Sequence, residues 1–406
     1  MTAMSSVVDR VYLDHAATSP MIPAAREAWL ETSARVGNPS SLHTSGRLAR
    51  RVVEESREAI AALLGTRPSA VIFTSGGTES DNLAIKGLYW SRTPGNDRIA
   101  LSTVEHHAVL DPVEWLVRDQ GAQAAWIPVD RLGRVDLAAA RALLAEGGIA
   151  LGTVMWANNE VGTVQPVDDL ARLFREAGVP FHVDAVQALG HVPMDLGALG
   201  ATAVTLSSHK IGGPFGVGAL VVEPSAALTP VLHGGGQERE VRSGTLDAPA
   251  VAAFAVAVAH AVNGQRERAA HLLSLRTALI DGIRSAVPDA VLNGDPGVGE
   301  LERLPGNVHV TFPGCEGDLL LMLLDAAGID CSTGSACTAG IPEPSHVLLA
   351  MGADTASARS SLRFSLGESS TAADVDAVLR RREELIRPDV DNRRAHPRLL
   401  HPRRRP

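Results

Sequence analysis

Ala70-Val-Ile-Phe-Thr-Ser-Gly-Gly-Thr-Glu-Ser-Asp-Asn-Leu-Ala84 is the stretch from which the fold is read. A short apolar run ends at Thr74, a glycine turn follows, and a helix opens behind Thr78. Backbone N–H groups at a helix N-terminus, with glycines that let a ligand approach, form an anion site. The Thr78 hydroxyl adds to it. No Gly-Lys-Ser/Thr follows, so the run is not a nucleotide P-loop, and it is not a GxGxxG fingerprint. An ordinary strand–turn–helix with Ser/Thr capping is the competing reading.

The same alternation extends outward from about Pro20 to residue 265. Apolar runs stand at Arg98-Ile-Ala-Leu-Ser, Ala150-Leu-Gly-Thr-Val-Met, Pro180-Phe-His-Val-Asp and Ala203-Val-Thr-Leu-Ser, with helical stretches such as Gly46–Leu64 and Val167–Ala177 between them. Strands alternating with helices predict βαβ units and a mostly parallel sheet. Ligands in such sheets bind beyond the carboxyl ends of the strands, so the residues just after each run are the candidates for chemistry. Past Val262 the pattern changes. A long helix is expected over Gln265–Val287, a strand at Asn307–Phe312, a helix over Asp318–Ala327, a strand at Leu362–Leu366 and a helix over Thr371–Ile386, together a smaller α+β domain. The arginine- and proline-rich Asp391–Pro406 reads as a disordered tail.

Composition narrows the function. The 406 residues carry 46 acids against 37 bases, a formal charge of −9, which argues against a dedicated DNA binder. Aromatics are 3%, too few for base-stacking platforms. The cysteines Cys315, Cys331 and Cys337 cannot build a disulfide framework and point to a reducing, cytoplasmic setting. The N-terminus lacks a signal-type apolar core, and the longest apolar stretch, Ala248–Val262, is too short to span a bilayer. Of the 37 basic residues only Lys86 and Lys210 are lysine, and the other 35 are arginine. Chemistry that needs a titratable amine has those two candidates, because arginine stays charged.

Lys210 lies just past the 203–207 run, beside His209 and the hydroxyls of Ser207 and Ser208, with glycines after it. A lysine in a partly apolar pocket has a lowered pKa and forms Schiff bases; a surface lysine in a turn is the plainer alternative. Asp184 ends the run at 181, where a carboxylate could hold a protonated ring nitrogen or merely cap a helix. In Val104-Glu-His-His-Ala-Val, either His106 or His107 could stack on a ring or move protons. Cys337 lies in Ser332-Thr-Gly-Ser-Ala-Cys-Thr-Ala-Gly, a small-residue segment suited to a nucleophile that must travel. Cys331 follows an apolar strand and reads as a packed residue. No spacing of His or Cys has a metal signature, so no metal site is expected.

In this order the runs resemble the cysteine desulfurases of the NifS/IscS type, pyridoxal-phosphate (PLP) enzymes of the class V aminotransferase group. The resemblance extends from Tyr12-Leu-Asp-His-Ala-Ala-Thr to Ser361-Leu-Arg-Phe-Ser-Leu-Gly. Between these it includes Gly37-Asn-Pro-Ser-Ser, Glu105-His-His-Ala-Val-Leu-Asp, Asn158-Asn-Glu-Val-Gly, His182-Val-Asp-Ala-Val-Gln, Ser208-His-Lys, His233-Gly-Gly-Gly-Gln-Glu and Arg242-Ser-Gly-Thr. It implies the α/β fold type I of PLP-dependent transferases: a large domain (17–265) with a mostly parallel seven-stranded sheet, a small α+β domain (1–16 and 266–390), and the tail 391–406. By resemblance, Lys210 would hold PLP covalently and Asp184 would pair with the ring nitrogen. His106 would stack on the ring, Gln187 would bond the ring hydroxyl, and Asn159 would lie beside cofactor and substrate. Gly77, Thr78, Ser207 and His209 would hold the phosphate, and Thr245 the phosphate of the neighbouring subunit, which implies a homodimer. Asn38 and Arg363 would take the substrate carboxylate.

The activity so implied converts L-cysteine to L-alanine, with Cys337 receiving the sulfur as a persulfide for an acceptor. The stretch from Ser332 to the Ser345-His-Val-Leu run resembles the long-loop members of the family. These hand sulfur directly to iron–sulfur scaffolds or tRNA-thiolation enzymes. Thr333 stands where serine is common, Ser208 where glycine is frequent, and the arginine-rich tail is unlike the usual C-terminus. A selenocysteine lyase, or another class V lyase, is the alternative.

Overall fold

The computed structural model describes residues 10–297, 302–334 and 343–381. The tail at 391–406 therefore lies outside the described residues, as does the last part of the helix expected over Thr371–Ile386.

The described residues form twelve strands, β1 (Val11–Tyr12), β2 (Val71–Thr74), β3 (Arg98–Ser102), β4 (Gln123–Ile127), β5 (Ile149–Met155), β6 (Phe181–Asp184), β7 (Ala203–Ser207), β8 (Gly218–Val222), β9 (Val291–Leu292), β10 (Asn307–Thr311), β11 (Ile329–Asp330) and β12 (Ser361–Ser365). Seven of them make one sheet in the order β2-β8-β7-β6-β5-β3-β4. Only β8 runs against its neighbours, pairing antiparallel with β2 and β7. The other pairings are parallel. All seven residues of β5 are buried, because helices cover both faces and leave no side for polar residues.

Alternation along each strand sorts the apolar residues onto two faces. Phe73, Ala100, Val183, Val204, Leu206 and Val221 belong to one hydrophobic cluster, roofed by the helices Thr44–Leu63 and Ala248–Asn263. Ile72, Ile99, Leu101, Ala203, Leu220 and Val222 belong to another, roofed by Gly77–Trp90 and His107–Gln120. The apolar run at 248 is thus a helix whose residues pack into the first cluster. No single helix among the described residues is long and apolar enough to cross a membrane. Gly152 shows how tightly the first face is filled: a Cβ there would stand 2.1 Å from the Phe174 ring. That ring stacks on Phe181 with centroids 4.7 Å apart.

A further cluster lies toward the C-terminus. β12-β10-β9 form an antiparallel sheet, with Val310 opposite Leu362. The helices Gln265–Ala286, Gly317–Ala326 and Ala372–Arg380 pack against it. The start of the chain joins this layer: β1 pairs in parallel with β11, and Leu13 is fully buried in the cluster. Cys331 is buried here too, and burial pushes its thiol up to about 12, far from nucleophilic. From β1 the chain crosses to the large sheet through Asp14–Ser19. That crossing bears directly on the site.

Candidate active site

Parallel strands bring their carboxyl ends to one edge of the sheet, and the sequence has placed its polar residues there. β2 leads to Gly76, Gly77 and Thr78; β3 to Glu105 and His106; β5 to Asn158 and Asn159. β6 ends at Asp184, with Gln187 in the turn beyond, and β7 ends at Ser207, followed by the short 3₁₀ turn His209–Ile211. Nine candidate residues, Gly77, Thr78, His106, Asn159, Asp184, Gln187, Ser207, His209 and Lys210, therefore emerge from adjacent strand ends.

The phosphate end is built from backbone. Gly76 has φ 145°, a value open to glycine, and Gly77 begins the helix Gly77–Trp90. A side chain at Gly77 would come within 2.9 Å of Val186 Cγ2, so the glycine keeps the helix terminus close to the turn after β6. The Ser207 hydroxyl is buried with no hydrogen-bond partner. An unpartnered hydroxyl near a bare helix N-terminus is the donor set a phosphate would satisfy.

The opposite requirement appears at Asp184. It is 5% exposed and accepts a hydrogen bond from Val186 N at 2.9 Å. Burial, with the nearby Asp81 second, pushes its carboxyl up to about 7. Glu105, fully buried, is pushed by burial up to about 8, and Asp81 likewise to about 7. Asp184 at the end of β6, with the buried Glu105 after β3 and Asp81 in the helix Gly77–Trp90 near enough to act on it, calls for a cation, which the protonated ring nitrogen of PLP would supply. The donors at one end and the acids at the other fit that cofactor.

His106 caps the helix His107–Gln120, its Nδ1 accepting from Ala108 N at 3.0 Å. Burial and then the charge of Lys210 push its imidazole down to about 4, so it is neutral at pH 7. His107, the other member of the pair, lies 3.1 Å from the Asp111 carboxylate and is more exposed. Lys210 Nζ donates to the carbonyls of Ala16 at 2.7 Å and Ala17 at 2.8 Å. Gln187 Nε2 donates to the same Ala16 carbonyl at 2.9 Å. His209 turns its ring to the Thr18 hydroxyl at 3.2 Å and stacks on Phe215. No hydrogen bond joins its side chain to Thr78 or Ser207.

Arg363 reaches the same edge from β12. Its side chain is 6% exposed, bonding Asp14 Oδ1 at 2.8 Å and the Asn159 carbonyl at 3.0 Å. Its Nε is buried and unpartnered. Asn38 and Thr245 stand apart. Both are exposed, and no hydrogen bond ties either to the strand ends; the Asn38 side chain accepts from Ser40 N. Cys337 lies outside the described residues.

Sequence reasoning took Tyr12–Thr18 only as a landmark, yet Asp14–Ser19 touches Lys210, Gln187, His209 and Arg363. Most of these contacts use its backbone carbonyls, which leave no compositional trace. Asp81 and His182 were also missed. His182 Nε2 sits 3.4 Å from Asp81 Oδ1, with both side chains buried beneath Asp184 on its face of β6.

The chain matches the aminotransferase class-V family over residues 11–378. It is 56% identical to an IscS-like cysteine desulfurase of Mycobacterium tuberculosis over 374 residues, which cover 91% of this chain and 94% of that protein. It is 41% identical to the cysteine desulfurase IscS of Methanosarcina thermophila over 377 residues, 93% of this chain and 92% of that one. Among solved structures, a NifS-like protein superposes with a TM-score of 0.86 at 35% identity, covering 93% of this chain and 99% of its own. SspA in complex with cysteine superposes at 0.74 with 31% identity, covering 87% and 98%.

Proposed function

From the premise that this chain belongs to the class-V aminotransferase family and is a PLP-dependent cysteine desulfurase, we propose how its own residues carry out that activity. The carrying observation is the juxtaposition of Lys210 with Asp184, His106 and Gln187 at the ends of β3, β6 and β7. Bound PLP supplies an electron sink for the carbon skeleton of the substrate.

Lys210 would hold the cofactor, and its amine is positioned to take the proton from the substrate Cα. The Ala16 and Ala17 carbonyls give its ammonium form a place to rest. Asp184 holds the proton on the ring nitrogen. Gln187 binds the ring hydroxyl, and Asn159 lies beside cofactor and substrate. His106, neutral at pH 7, would stack on the ring and is the alternative to Lys210 as acceptor of the Cα proton. Gly77, Thr78, Ser207 and His209 hold the phosphate, with Thr245 reaching the phosphate of a second copy in a homodimer. Arg363, kept in place by Asp14, takes the L-cysteine carboxylate together with Asn38.

The Cys337 thiolate attacks the substrate sulfur. The Cβ–S bond breaks, its electron pair stays with Cβ, and protonation there releases L-alanine. Cys337 keeps the sulfur as a persulfide and passes it, in the cytoplasm, to an iron–sulfur scaffold or a tRNA-thiolating enzyme.

The test is alanine and sulfide production from L-cysteine with a thiol reductant, wild type beside Cys337→Ala. Activity in the wild type that disappears in the variant is expected. Full activity in the variant would replace this reading with a lyase, of the selenocysteine type, that releases its product without Cys337.

A further inference from the structure

Glu79 stands in the first turn of the helix Gly77–Trp90, whose N-terminus would take the cofactor phosphate. Its Oε2 reaches back to accept from Ser75 N at 2.7 Å, so the carboxylate spans the glycine turn. A helix N-terminus favours an anion, but a carboxylate and a phosphate placed there together repel each other. Ser75 N is also spent on Glu79, which leaves the phosphate the remaining donors of the turn and the unpartnered Ser207 hydroxyl.

Arg242 meets that carboxylate in a fork. Its Nε donates to Glu79 Oε1 at 2.7 Å and its Nη2 to Oε2 at 3.2 Å. The two side chains are only 15% and 17% exposed, so solvent screens the pair less than one on the open surface. Burial works to raise the Glu79 carboxyl, but the hydrogen bonds from Arg242 and Ser75 outweigh it and hold the carboxyl below its usual range. Glu79 is therefore ionised, and Arg242 cancels its charge.

The loop that carries Arg242 is fixed by other residues. Glu238 and Arg242 form an antiparallel bridge, with Glu238 N donating to the Arg242 carbonyl at 2.9 Å. The Glu238 carboxylate, 1% exposed, accepts from Arg57 Nη1 at 2.8 Å, Arg57 Nη2 at 2.6 Å and Phe73 N at 2.8 Å. Arg239 holds the carbonyls of Ser69 and Val71. Between these anchors Arg239 and Glu240 take positive φ, 53° and 62°, which non-glycine residues rarely adopt. That turn brings the chain back so that Arg242 faces Glu79. A loop held at Glu238 and Arg239 keeps its place without the Arg242 side chain, whose particular contribution is charge.

We propose that Arg242 is a positioning residue for the cofactor, acting through Glu79: by neutralising that carboxylate it lets the helix terminus accept the phosphate dianion. The proposal rests on the phosphate lying at Gly77, Thr78 and Ser207.

The test is titration of the full-length protein, freed of its cofactor, with PLP and with pyridoxal, which lacks the phosphate. Binding is read from the visible absorption of the bound aldehyde. Arg242→Gln should weaken PLP about tenfold and pyridoxal by less than about twofold. Adding Glu79→Gln to Arg242→Gln removes both charges and should return PLP to within about twofold of wild type. Glu79→Gln alone leaves a cation without its acid and should bind PLP at least as tightly as wild type. Unchanged PLP affinity in Arg242→Gln overturns the proposal, as does an equal loss for PLP and pyridoxal. A double variant as weak as Arg242→Gln would reveal a tether rather than a charge balance, and overturns it too. So does a PLP-specific loss in Glu79→Gln, a reading that holds even where Arg242→Gln fails to fold. The cofactor binds whichever way the sulfur leaves, so these outcomes stand apart from the Cys337 test.

Discussion

Lys210 and Arg363 are each held by the same short crossing, Lys210 through the carbonyls of Ala16 and Ala17 and Arg363 through the Asp14 carboxylate. At Lys210 the amine itself is the requirement. Lys210→Ala should yield protein without the visible absorption of a covalently held PLP, and alanine formation should fall at least about a hundredfold. Retention of the band after dialysis would place the anchor elsewhere. At Arg363 the geometry is the requirement, since its Nε has no partner and the two outer nitrogens set the plane of the guanidinium. Asp14→Asn keeps a hydrogen-bond acceptor but removes the charge. It should raise KM for L-cysteine about three- to tenfold while kcat changes less. An equal fall in kcat with unchanged KM would show that Asp14 acts on the chemistry rather than on substrate binding.

At the scale of elements, the edge of the sheet is only as well placed as the packing beneath it. The helix Val167–Glu176 drives Phe174 into the space above Gly152, where it stacks on Phe181 at the start of the strand that carries His182 and Asp184. Phe174→Ala should destabilise the fold by about 3–5 kcal/mol, read as a lower urea midpoint at unchanged slope. Gly152→Ala approaches the same contact from the other side and should cost about 1–3 kcal/mol through overpacking. A neutral Gly152→Ala would mean that the ring has room to move. The strand and helix pattern of this region was legible in the sequence, because buried parallel strands read as short apolar runs. The glycine inside Ala150–Met155 gave no hint of its partner, since which ring fills the gap depends on helix packing.

For the whole molecule, the balance of buried titratable groups predicts a stability optimum. Burial pushes His15, His106, His182, His191 and His209 down to about 4, and His309 to about 3. Unfolded imidazoles titrate near about 6.5, so the unfolded chain takes up more protons below that pH, and these groups withdraw stability as pH falls from about 6.5 toward 4. Burial raises Asp81 and Asp184 to about 7 and Glu105 to about 8. The folded chain keeps those protons, so the acids withdraw stability as pH rises from about 4 through about 8. Where the windows overlap, six imidazoles outweigh three carboxyls; above about 6.5 only the carboxyls still titrate. The PLP-free protein should therefore show its highest Tm near pH 6.5. A Tm that climbs steadily from pH 6 to 8 would contradict this. Adding PLP should move the maximum upward, because a ring cation facing Asp184 favours the ionised carboxylate.

The sequence by itself determined the α/β class, the order of strands and helices, the family, and the placing of Lys210, Asp184 and His106 just past strand ends. It could do so because periodicity is local and because polar residues after an apolar run interrupt a pattern that is otherwise regular. Only the tertiary structure decided that β1 crosses to the C-terminal layer, and that Asp14–Ser19 gathers Lys210, Gln187, His209 and Arg363 around its backbone. It alone showed that Asp81 and His182 lie buried beneath Asp184. Such contacts join residues as far as 194 positions apart, as Ala16 and Lys210 are, through carbonyl groups that every residue carries alike. A carbonyl becomes particular only when folding removes it from water and leaves one donor within reach.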